Sequence, residues 1–196
     1  MGAEGSKQKK GKKYSKSDIQ ELSNQCHFSV EQIEILYDKF KKISNAQSHD
    51  YKINAKEFQK ALNLPTNEFT DHIFRAFDSD GSNQIEFGEF VLGLSCMTPE
   101  ATIQEKAEFC FKIYDADYSG EITREELKDI FMISLRSNSN VSISDDQVNK
   151  IVDATFKQID KDSSGSINLS EFSQAAAKNP SMLACVNLNT ASLFTE

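Results

Sequence analysis

Tryptophan is absent from this chain of 196 residues, and only three prolines and eight glycines punctuate it. The four cysteines, Cys26, Cys96, Cys110 and Cys185, form no CxxC pair. Their spacing matches neither a zinc site nor a disulfide framework, so free thiols in a reducing cytosol are expected. No apolar run approaches the roughly 18 residues needed to span a bilayer. The amino terminus is charged and lacks an apolar core, so a secretory leader is not expected. Basic residues are the minority, 22 against 30 acidic ones, for a formal net charge of −8. An acidic body argues against nucleic acid as the main partner and suits cations. Catalytic signatures are missing as well. His27, His49 and His72 are scattered, and there is no HExxH, nucleophile elbow or phosphate-cradling glycine loop. No enzyme activity is expected.

What the chain does have is oxygen donors in register. Three segments start at Asp78, Asp115 and Asp160 and end at Glu89, Glu126 and Glu171. Each places side-chain oxygens at loop positions 1, 3 and 5, an isoleucine at 8 and a glutamate at 12, the pattern of an EF-hand calcium loop. The expected ligands in loop two are Asp78, Asp80, Ser82, the carbonyl of Gln84, and Glu89, with Glu86 able to add an oxygen directly or through water. Loop three offers Asp115, Asp117, Ser119, the carbonyl of Glu121, and Glu126; loop four offers Asp160, Asp162, Ser164, the carbonyl of Ser166, and Glu171. Gly120 and Gly165 suit the sharp turn at position 6, where a positive φ is needed, and asparagine tolerates that conformation better than most residues, so Asn83 is acceptable there. Serine at position 5 in all three keeps the ligand charge modest, which predicts micromolar sensor sites rather than nanomolar buffers.

Ile53, Ile85, Ile122 and Ile167 mark four repeats, each flanked by apolar residues at helical spacing. A single helix–loop–helix cannot bury its apolar face alone. Pairing Ile53 with Ile85 and Ile122 with Ile167 in short antiparallel ladders packs the helices together, and the 14 phenylalanines fit such a core. The fold class expected is therefore all-α, with two lobes of paired EF-hands. A basic segment occupies 1–16, an amino-terminal lobe 17–97, a carboxy-terminal lobe 98–178 and a tail 179–196, with the break at Thr98-Pro99-Glu100. Arg136-Ser-Asn-Ser-Asn140 reads as a surface loop, and Ser144-Asp-Asp-Gln147 as a capped helix start.

The first repeat is altered. Counted back from Glu57, a standard loop puts Ala46 at position 1, where it cannot ligate; counted from the helix end, Ser44 to Glu57 makes a loop of 14 residues. Asp50 and Glu57 are its only carboxylates, so a metal there would need several backbone carbonyls, and an empty loop is expected. The chain opens Met1-Gly2-Ala-Glu-Gly-Ser6, which matches the myristoylation signal with Gly2 as acceptor. Six lysines against one glutamate lie within residues 1–16. One myristoyl chain binds membranes only marginally, but acyl chain plus polybasic patch is a two-signal anchor. A peripheral protein on the cytoplasmic face of an anionic membrane is expected.

The sequence resembles the calcineurin B and calcineurin B-like branch of EF-hand proteins from about Phe28 to Leu183. The resemblance is carried by the run Phe28 to Ser44, the 14-residue first loop, Ile85-Glu-Phe-Gly-Glu-Phe90, Glu125-Glu-Leu-Lys128 and Asn179-Pro-Ser181. It implies a calcium-binding regulator whose hydrophobic crevice takes a helix or short motif from a serine/threonine kinase. The alternative it implies is a calcineurin B-type regulator clasping a helix of a phosphatase catalytic subunit. In that family the first loop can hold calcium through backbone carbonyls. The family's carboxy-terminal Phe-Pro-Ser-Phe motif is missing; the chain ends Ala191-Ser-Leu-Phe-Thr-Glu196. The stretch from Met182 to Phe194 is apolar enough to cover the crevice. A plain calcium buffer is a further alternative, disfavoured by the anchor signal and the modest ligand sets.

Overall fold

Most helices begin where a short polar side chain can take up the free backbone N–H groups of a first turn. The computed structural model describes residues 12–44, 51–136 and 144–186. Ser15 caps α1 (Lys16–Ser23) in a reciprocal box with Asp18. Ser29 and Gln32 bond each other's backbone at the start of α2 (Val30–Ser44). Asn54 and Glu57 do the same for α3 (Ala55–Ala61), and Asn67 caps α4 (Glu68–Phe77). α5 (Phe87–Ser95) follows, then α6 (Ile103–Tyr114), boxed by Thr102 and Glu105. α7 (Arg124–Arg136) leads to α8 (Asp145–Ile159), which starts at the Ser144–Gln147 box read from the sequence. α9 (Leu169–Lys178), capped by Asn168, ends in a 3-10 turn over Pro180–Val186.

Between helices lie four strands of two residues, β1 (Lys52–Ile53), β2 (Ile85–Glu86), β3 (Glu121–Ile122) and β4 (Ile167–Asn168). β1 pairs antiparallel with β2 and β3 with β4, with Ile53 opposite Ile85 and Ile122 opposite Ile167. All four isoleucines are buried. The expected ladders are therefore present in the expected register.

Phenylalanine supplies the core. Phe40, Phe58, Phe77, Phe87, Phe90 and Phe156 are all fully buried. Phe77 meets Phe58 at 4.9 Å and Phe109 at 5.2 Å between ring centroids, both edge-on, geometries that add about 0.5–1.5 kcal/mol beyond burial. Phe109 lies on α6, so the end of α4 packs against the second half of the chain. Two further elements complete the packing. α1 packs on α2, with Ile19 and Leu22 buried, and the 3-10 turn packs on α6 and α9 with Leu183 buried. No described helix is long and apolar enough to cross a membrane. Cys26 and Cys96 are free thiols, and burial pushes both up. The Gly2 signal, His49, the stretch 137–143 and the tail beyond 186 lie outside the described residues.

Candidate metal centres

Three loops leave the ends of α4, α6 and α8, and in each the chain turns back on itself through two residues with positive φ. In loop two these are Gly81 and Asn83, at +67° and +60°; in loop three Tyr118 and Gly120, at +58° and +83°; in loop four Ser163 and Gly165, at +60° and +91°. Asn83 thus adopts the left-handed backbone expected of it. Loop two carries its glycine at position 4 instead of position 6.

These turns point backbone N–H groups inward at the first carboxylate. The position 6 amides of Asn83, Gly120 and Gly165 donate to Asp78, Asp115 and Asp160 at 2.7, 2.9 and 3.0 Å. The position 5 amides bridge the carboxylates at positions 1 and 3. The position 5 hydroxyls donate to the position 7 carbonyls, Ser82 to Gln84 at 2.8 Å, Ser119 to Glu121 at 2.9 Å and Ser164 to Ser166 at 3.0 Å. Both oxygens of each pair therefore already converge. The closing glutamate is held by two amides: Glu89 by Ser79 and Glu86, Glu126 by Ala116 and Thr123, Glu171 by Lys161 and Asn168.

The result is three clusters, Asp78 with Asp80 and Glu89, Asp115 with Asp117 and Glu126, and Asp160 with Asp162 and Glu171. In each, one carboxylate oxygen per residue lies within 4.8 Å of the others. Sequence position alone predicted this convergence. The electrostatics match. Burial raises the carboxyl groups of Asp78 and Asp115 above the usual range, and their like-charged neighbours add to it. Asp80 and Asp117 are lowered, first by the hydroxyls of Ser82 and Ser119, and Asp162 first by the backbone N–H of Ser164. Crowded carboxylates with hydroxyl and carbonyl oxygens and no nitrogen or sulfur donor suit a hard divalent cation, whose charge removes the mutual repulsion.

Glu86, which could lend an oxygen at position 9, already has one carboxylate oxygen engaged. Its carboxylate pairs across the first ladder with Lys52, Nζ to Oε1 at 3.0 Å, and Lys52 is itself largely buried. The register that joins the isoleucines places Lys52 opposite Glu86, so the position 9 oxygen is engaged by a lysine from the first loop. Of that first loop, residues 45–50, with Ala46 and Asp50, lie outside the described residues. Glu57 is buried; its Oε2 accepts the Asn54 N–H at 3.0 Å, while Oε1 has no hydrogen-bond partner.

Two family models, each described as an EF-hand domain pair, match residues 38–92 and 104–177. The chain is 32% identical over 183 residues to calcineurin B-like protein 5 of Arabidopsis thaliana, covering 92% of this chain and 89% of the relative. It is 34% identical over 159 residues to calcineurin B of Schizosaccharomyces pombe, covering 81% and 88%. Against calcineurin B type 2 of Bos taurus it is 33% identical over 147 residues, covering 75% and 83%. The chain belongs to the calcineurin B and calcineurin B-like family of EF-hand proteins, and the cation its loops bind is calcium.

Proposed function

We propose that this protein is a calcium sensor that binds a helix of a serine/threonine protein kinase and regulates it, with no catalytic activity of its own. The observation that carries the reading is the trio of preformed carboxylate clusters, each joined to helices by a closing glutamate. The ligands are Asp78, Asp80, Ser82, the Gln84 carbonyl and Glu89; Asp115, Asp117, Ser119, the Glu121 carbonyl and Glu126; and Asp160, Asp162, Ser164, the Ser166 carbonyl and Glu171. Glu89, Glu126 and Glu171 would hold calcium from the first turns of α5, α7 and α9, which would tie its binding to the helix motion by which sensor hands open an apolar groove. An amphipathic helix buries its apolar face in such a groove.

A phosphatase partner is the second reading, favoured by the calcineurin B relatives at 33–34% identity. Full-length protein, with calcium and with chelator, separates the two against purified kinase regulatory segments and a calcineurin-type catalytic helix. Calcium-dependent capture of the kinase segment supports the first reading. Capture of the phosphatase helix alone moves the assignment, and binding of neither leaves a calcium buffer.

Gly2 and the lysines of residues 1–16 support membrane anchoring at a cytoplasmic face. Myristoylated protein partitioning onto anionic vesicles, and Gly2→Ala failing to do so, is the expected result; equal partition refutes the anchor.

A further inference from the structure

The family's loops pair through their ladders, first with second and third with fourth. A different connection joins loop two to loop three. α4 runs straight into loop two, Phe77 being followed by Asp78, and the last turn of a helix carries carbonyls with no partner inside it. The carbonyl of Arg75 is one of these, and it accepts the hydroxyl of Tyr118 at 2.7 Å. Tyr118 is position 4 of loop three, between the ligands Asp117 and Ser119. The Arg75 guanidinium returns the contact, Nη1 donating to the carbonyl of Ala116 at 3.5 Å. That same Ala116 residue donates its N–H to Glu126 at 2.8 Å. One turn earlier His72 Nδ1–H donates to the carbonyl of Ile113 at 3.1 Å, and Phe77 packs edge-on to Phe109 at 5.2 Å.

We infer that Tyr118 and Arg75 are positioning residues that couple calcium binding at loop two to calcium binding at loop three. Glu126, Asp117 and Ser119 would hold an ion in loop three and be fixed by it. Ala116 and Tyr118 are covalent neighbours of those ligands and are set with them. Tyr118 then fixes the carbonyl three residues before Asp78, so the exit of α4, and with it the first ligand of loop two, is ordered in advance. A site whose ligands are already ordered binds its ion at less entropic cost. Linkage makes the effect reciprocal. The inference rests on the calcium reading above.

The position 6 amides give a separate reporter for each loop, since Asn83, Gly120 and Gly165 bond directly to the first carboxylates. Calcium is titrated into the full-length protein while these amides are followed by NMR, in the unaltered chain, Glu126→Gln, Tyr118→Phe and the double variant. Disabling loop three with Glu126→Gln is expected to raise the loop-two midpoint about three- to tenfold, the range of one net hydrogen bond. With Tyr118→Phe present, the same step is expected to fall below twofold, while the effect of Glu126→Gln on loop four, carried by the β3–β4 ladder, persists. A loop-two midpoint indifferent to Glu126→Gln, or shifted equally with and without Tyr118→Phe, overturns the coupling. So does loss of the loop-four effect under Tyr118→Phe, which indicates general loosening. If the Asn83 amide ignores calcium in the unaltered chain, the calcium reading of loop two fails and the coupling falls with it.

Discussion

Lys52 holds a carboxylate that loop two would otherwise turn on its ion. Both effects of the lysine oppose calcium: its charge sits across the ladder from a cation site, and its ammonium occupies Glu86 at 3.0 Å. Lys52→Met keeps the apolar stem and removes both. Calcium at loop two is expected to tighten by about two- to tenfold, up to about 1.4 kcal/mol, read at the Asn83 amide or by calorimetry; unchanged or weaker binding contradicts the argument. Asn83 itself is a test of backbone strain. At φ +60° a β-branched residue is a steric outlier, so Asn83→Val is expected to cost about 1–2 kcal/mol of folding stability. Asn83→Gly trades strain relief against unfolded-state entropy and is expected to be nearly neutral. Chemical denaturation of the calcium-free protein measures both. The carboxylate clusters were legible in sequence because each loop is local, and a run of about 12 residues fixes its geometry. Glu86 was not, because its partner arrives from another repeat through strand register. The left-handed φ of Tyr118 and Ser163 was equally hidden, since neither residue type advertises it.

The helices and ladders were legible for related reasons. Apolar spacing and the position 8 isoleucines specify them, and the Ser144–Gln147 box appears where its residues place it. α1 went unread, although Ser15 with Asp18 and the buried pair Ile19 and Leu22 give the signal in hindsight. The contact that most constrains a whole element is invisible in sequence: Gly93, near the end of α5, lies against the ring of Phe77. A Cβ at Gly93 would sit 2.4 Å from two ring carbons of Phe77. Alanine is the better helix former by about 1 kcal/mol, yet the overpacking costs typically about 1–3 kcal/mol. Gly93→Ala is therefore expected to lower stability on balance, and adding Phe77→Leu, which removes the obstructing ring edge, to recover part of the loss. A thermal melt in which Gly93→Ala is more stable than the parent shows that α5 can slide away from α4.

At the scale of the molecule, charge and the junction of the two halves act together. The formal net charge is −8, and three clusters bring carboxylates to face one another within 4.8 Å. Folding without calcium brings these like charges together; calcium reverses their sign of interaction in the folded state alone. At free calcium about 100 times the dissociation constant, each site adds about 2.7 kcal/mol, so three sites add about 8 kcal/mol. For a chain of this size each kcal/mol moves the melting temperature by about 2–4 °C, giving an expected rise of roughly 15–30 °C over the chelated protein. Magnesium demands octahedral geometry and sheds water reluctantly, so at equal concentration it is expected to give a much smaller rise. The shape of the melt carries as much information as its midpoint. Phe77 and Phe109 pack across the junction, and Arg75, Tyr118 and His72 bond across it, which favours one calorimetric transition moving as a unit. Two transitions, each rising with the calcium bound in its own half, would show that the junction yields before either half unfolds and that the ions stabilise their own half alone.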